Sequence, residues 1–149
     1  MNLQNIKKPN SVIKTISGFT LFELMITVAI VGILASFVYP TYVNAVAKNN
    51  RAEAQRELMR LASLEEQFFS DNRAYTADMK KLGASKDPYI TDSKNYSIDY
   101  LSPPNPVTNS FILTATAQGN QASNDASCAT LSIDETGKKT ATSATCWEK

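Results

Sequence analysis

The chain has 149 residues, with 15 Lys and Arg against 14 Asp and Glu, a formal net charge of +1, and no histidine. That balance argues against bulk electrostatic attraction to nucleic acid, and the missing histidine removes the commonest general base and metal ligand. No Gly-rich phosphate loop, CxxC pair or distinctive carboxylate pair is present, so no cofactor or metal is expected and an enzyme is disfavoured.

Residues 1–18 carry Lys7, Lys8 and Lys14 and no acid. Residues 19–39 form an apolar run without proline, which as a helix spans about 31 Å, close to the hydrocarbon thickness of a bilayer. Hydropathy alone points to a signal peptide or a simple anchor. A secretory signal fits poorly. The run is too long, the small pair Ser17-Gly18 precedes it, and Glu23 lies inside it. Glu23 is the only charge between Lys14 and Lys48. A carboxylate in the hydrocarbon costs at least about 2.5 kcal/mol at the centre and less near an interface, so it calls for a partner. The basic leader places the N-terminus inside, although Lys48, Arg51 and Arg56 on the far flank pull the other way.

Pro40 follows the apolar run. Helical spacing resumes beyond it, so the reading is one helix with a kink at Pro40. Over residues 40–71 the positions Leu58, Leu61, Ala62, Glu65, Phe68 and Phe69 repeat at threes and fours, thickened by Leu64. The alternating charges from Lys48 to Arg60 read as a solvated face. The helix is expected to end near Ser70-Asp71-Asn72. Residues 73–95 read as a loop with little regular structure, anchored at Tyr75-Thr76 and Leu82-Gly83.

Strand candidates follow at Tyr96–Tyr100, closed by Pro103-Pro104-Asn105-Pro106, and at Phe111–Ala117 and Cys128–Asp134. Glu135-Thr136-Gly137-Lys138 is a hairpin connection with Gly where positive φ is cheapest. A short last strand, Lys139–Thr142, completes about four. One helix followed by successive strands predicts an α+β domain with an antiparallel sheet against the helix, and residues 72–149 as its globular head.

The run Gly18-Phe19-Thr20-Leu21-Phe22-Glu23-Leu24 resembles the leader junction of type IV prepilins and pseudopilins. The resemblance implies the type IV pilin fold, cleavage between Gly18 and Phe19, N-methylation of Phe19, and a role for Glu23 in filament register. Gly32 and Pro40 stand where that family places its helix-loosening residues. In the head, Tyr75-Thr76, Tyr96-Ser97-Ile98, Phe111 to Ala115, Cys128 to Gly137 and Cys146-Trp147 resemble the PilE-type minor pilins of gamma-proteobacteria. In an exported chain Cys128 and Cys146 read as one disulfide, and the resemblance makes that pair the border of the family's D-region. The alternative is two buried free thiols.

The resemblance implies a structural subunit of a type IV pilus, held in the inner membrane with its head in the periplasm and then moved into an extracellular filament. Its implied partners are a prepilin peptidase and N-methyltransferase, other major and minor pilins, the inner-membrane assembly platform and a tip adhesin. Assembly, twitching motility and adhesion are the implied processes. Glu23 pairs in this reading with a neighbour's Phe19 amine. The competing accounts are its own chain's amine or enzyme recognition alone. Alternatives for the whole chain are a type II secretion pseudopilin, a major pilin, or a membrane-tethered binding module that never polymerises. Lys80, Lys81, Lys138 and Lys139 read as solvated lysines, not as a DNA-binding surface.

Overall fold

The computed structural model describes residues 18–101 and 109–147. The leader up to Ser17 and the Pro103-Pro104-Asn105-Pro106 run lie outside the described residues. Helix α1 spans Leu21–Asn72 and includes Pro40. It starts two residues after Phe19 and ends where the turn-rich cluster places its end. The chain divides into two compact units, the first closing at Phe37 and the second opening at Val38.

In the first unit every apolar side chain of the helix from Leu21 to Phe37 is exposed. In the second unit α1 buries Ala47, Ala54, Leu58, Leu61, Ala62 and Glu65, and half-buries Leu64, Phe68 and Phe69. The expected stripe is therefore the buried face. The charged stretch is not wholly solvated, because Arg51 keeps only 14% of its side chain exposed in an ion pair with Asp125.

The sheet has five antiparallel strands in sequential order: β1 Tyr89–Ile90, β2 Tyr96–Tyr100, β3 Ile112–Ala117, β4 Thr130–Asp134 and β5 Lys139–Ala141. The added strand is β1, inside the segment expected to be a loop. That segment also holds a 3-10 turn, Met79–Leu82, whose Asp78 side chain accepts from Lys80 N–H. Both elements are too short to produce a periodic signal. Strand β2 keeps its expected limits, and β3, β4 and β5 start or end one or two residues inside theirs. Cys128 closes a 3-10 turn, Ala126–Cys128, and is not a strand residue. A short helix, α2 Gly119–Asn124, fills the connection before it.

Alternation along the strands builds the core. Ile98 pairs with Ala115, which pairs with Leu131, and Leu113 pairs with Ile133. These side chains are buried with Tyr96, Phe111, Met79 and the α1 stripe in one cluster. The other face is half-exposed and hydroxylated, with Thr114 Oγ1 2.9 Å from Ser132 Oγ. The hairpin between β4 and β5 forms as expected. Gly137 has φ 76°, and Asp134 Oδ1 accepts from Thr136 N–H at 3.0 Å and Lys138 N–H at 2.9 Å.

Candidate functional site

The start of α1 is a capping box. Thr20 Oγ1 accepts from Glu23 N–H at 3.2 Å, and Glu23 Oε2 accepts from Thr20 N–H at 3.0 Å and from Thr20 Oγ1 at 2.9 Å. Two donors that a helix start leaves orphaned are satisfied reciprocally. The Thr-x-x-Glu pattern is present in the sequence, where the expected partner of Glu23 is a Phe19 amine. Thr20 supplies a partner within the chain. Glu23 also lies in the first turn, where the helix dipole favours negative charge.

Gly18 and Phe19 precede the cap and are exposed, Phe19 at 85%. Gly32 lies within α1, and a Cβ there would meet nothing within 4 Å. Among the described residues no packing contact requires glycine there, and its effect is on helix propensity, about 1 kcal/mol against Ala. Pro40 lacks the N–H that would bond one turn back.

A disulfide closes the C-terminal part of the head. Cys128 and Cys146 are bridged, and among the described residues no cysteine is free. The bridge fixes the last 3-10 turn, Ala144–Trp147, beside α1, where Gln55 Nε2 donates to the Cys146 carbonyl at 2.8 Å. Trp147 Nε1 donates to the Thr140 carbonyl at 2.8 Å, covering an edge strand.

Sequence reasoning missed the polar cluster beneath this region. Gln121 on α2 is buried, and its Nε2 donates to the Ala47 carbonyl at 3.0 Å. Its second hydrogen is shared between Tyr96 Oη at 3.2 Å and Asp125 Oδ2 at 3.3 Å. Asn50 Nδ2 donates to Gln121 Oε1 at 3.0 Å. Arg51 Nε lies 3.1 Å from Asp125 Oδ2. Burial pushes Asp125 above the usual carboxylate range, outweighing the pull of Arg51, Gln121 and Lys48. The cluster thus fixes geometry more than it stabilises. No local pattern marks these residues, since Gln121 and Asp125 find their other partners far away in sequence.

The model of the family described as "Type IV minor pilin ComP, DNA uptake sequence receptor" matches residues 40–132, and the prokaryotic N-terminal methylation motif matches residues 13–39. A probable minor fimbrial protein of Dichelobacter nodosus is 35% identical over 74% of this chain and 76% of its own length. The type IV major pilin protein PilA of Myxococcus xanthus is 39% identical over 44% of this chain, and the match spans only 30% of PilA. A solved type IV pilin from Shewanella oneidensis aligns with TM-score 0.50 and 27% identity, over 69% of this chain and 99% of that one. The fold, the junction and the matches through the head agree, and the chain belongs to the type IV pilin family, among its minor pilins.

Proposed function

We propose that this minor pilin is cleaved between Gly18 and Phe19, methylated at Phe19, and held by the apolar part of α1 with its head on the periplasmic side until it enters a filament. Its role is structural, in pilus assembly and the adhesion or twitching that depend on it, with no catalytic step. The carrying observation is the contrast within the chain. The head from Val38 onward has a closed core of its own, while the helix from Leu21 to Phe37 exposes Leu, Ile, Val and Phe side chains throughout. Such a surface is stable only in lipid or against other apolar helices. Its partners are accordingly a prepilin peptidase and N-methyltransferase, major and minor pilins, the assembly platform and a tip adhesin. Mass spectrometry of the subunit from sheared filaments tests the reading. An N-methylated Phe19 terminus is expected. A chain that retains residues 1–18, or that is found only in membranes, refutes it.

One observation favours a second reading. The matching family is described as a DNA uptake sequence receptor. Lys80, Lys81, Lys86 and Lys94 are exposed on the segment between α1 and β2, interleaved with exposed Asp87 and Asp92. That mixture supports the structural role first. A salt series of duplex binding distinguishes the two, since phosphate contacts give affinity that falls steeply with salt.

A further inference from the structure

Where the apolar run ends, α1 carries one exposed aromatic face. Tyr39 keeps 71% of its surface exposed and Tyr42 keeps 66%, and Val46 is exposed beside them. The three recur at three and four residues, so they line one side of the helix. Val43 and Ala47 lie one step round. Val43 is half-buried and Ala47 is buried, so the head begins to cover α1 there and leaves the tyrosine side open. Among the described residues no hydrogen bond engages the hydroxyl of Tyr39 or of Tyr42.

The position of this face along the helix carries the argument. Counted from Phe19, a helix has covered about 31 Å by Tyr39, the hydrocarbon thickness of a bilayer. Tyr42 lies about 4.5 Å further along and Lys48 about 13 Å. The polar layer on one side of a bilayer is about 5–8 Å deep. Tyr42 therefore falls inside that layer. Lys48, the first charge after Glu23, falls just beyond it and is exposed. Tyrosine suits such a boundary, because its ring is apolar and its hydroxyl is polar. A protein partner could take an aromatic pair anywhere along α1, whereas this pair stands where the apolar run stops.

We propose that Tyr39 and Tyr42 form a lipid-interface anchor, with their rings at the edge of the hydrocarbon and their hydroxyls donating to the ester and phosphate oxygens of lipid headgroups. The proposal rests on the membrane-held state described above and names the surface that sets its depth. The anchor resists movement both ways. Deeper insertion strips the hydroxyls of polar partners, and withdrawal brings apolar rings into water. Because Tyr42 and Ala47 are little more than one turn apart, fixing the tyrosines also fixes how far the head stands from the bilayer.

The test uses the full chain floated with vesicles of phosphatidylcholine and phosphatidylglycerol. Tyr42→Trp adds one tryptophan to Trp147, and the native chain supplies the blank. Bromine on the acyl chain close to the glycerol should quench the added fluorescence more than bromine at the chain end, and dilution with lipid should leave that order unchanged. Stronger quenching by deep bromine, or none by either, overturns the proposal. Quenching that appears only on dilution also overturns it and assigns the face to a second copy of the chain. A second measurement reads depth. Both native cysteines are bridged, so Val46→Cys supplies the one free thiol. Adding Tyr39→Leu with Tyr42→Leu extends the apolar run by about one helical turn, and an impermeant maleimide should then label Val46→Cys severalfold more slowly. Tyr39→Trp with Tyr42→Trp should keep the native rate. An unchanged rate in the leucine pair, or equal slowing in the tryptophan pair, overturns the anchor. A chain that does not float refutes the membrane-held state and the anchor together, whereas a floated chain that fails either measurement refutes the anchor alone.

Discussion

Glu65 is a carboxylate in the core of the head. It has no exposed surface, its Oε2 accepts from Thr76 N–H at 3.1 Å, and its Oε1 has no partner. Burial pushes its pKa from an ordinary 4.5 up to about 7, with the Thr76 bond pulling down and Glu66 adding to the rise. Below pH 4.5 the group is protonated in the folded and the unfolded chain and does not affect stability. Between those values the unfolded chain ionises while the folded one keeps its proton, so stability falls as pH rises. Each pH unit there costs about 1.4 kcal/mol, and the total is about 3 kcal/mol by the time the folded group ionises. Above that the loss is constant. Glu65→Gln keeps an acceptor for Thr76 and removes the titration. The variant should match the native chain within about 1 kcal/mol at pH 4.5 and exceed it by 2–3 kcal/mol at pH 8. For a domain of this size that is on the order of 10 °C in Tm. Thermal melts of both full chains in detergent at pH 4.5, 6 and 8 measure the difference, and the subtraction cancels Asp125 and Asp134. Parallel pH profiles for the two chains would refute the account.

Glu23→Gln separates two roles at the junction. Glutamine fills the same capping-box position as glutamate, so helix content and cleavage should be preserved, while a charge pair with an N-terminal ammonium is lost. If register rests on that charge, the ratio of filament-borne to membrane-borne subunit falls in Glu23→Gln as it does in Glu23→Ala. A ratio rescued by Gln but not Ala assigns the residue to capping alone. Gln121→Ala should destabilise the head by about 2–3 kcal/mol, because the Ala47 carbonyl, Asn50 and Asp125 lose a buried partner together. Urea denaturation measures it, and a change under 0.5 kcal/mol would show that water replaces the amide.

What was legible in the sequence had short-range or periodic causes. The stripe Leu58, Leu61, Ala62 and Glu65 repeats at helical spacing, and all four are buried. Glu65 was readable as a member of the buried face because its position, not its polarity, fits the period. The Asp134–Lys138 turn was readable because Gly137 and Asp134 act within a few residues of one another. Strand β1 was not readable, since two residues give no alternation. Its existence depends on Tyr89 and Ile90 finding Ile98 and Ser97 across a turn. The Gln121 cluster was equally silent, because every residue it joins on α1 is distant in sequence.

The same distinction separates the two ends of the function. At the junction the chemistry is local. Thr20 and Glu23 satisfy each other across one helical turn. Such a site can be recognised from a short motif. At the disulfide the chemistry is assembled from four separated stretches of chain: Arg51, Asp125 with Cys128, Thr140, and Cys146 with Trp147. The Gln121 cluster ties α2 to α1 beneath them, so this arrangement exists only in the folded head.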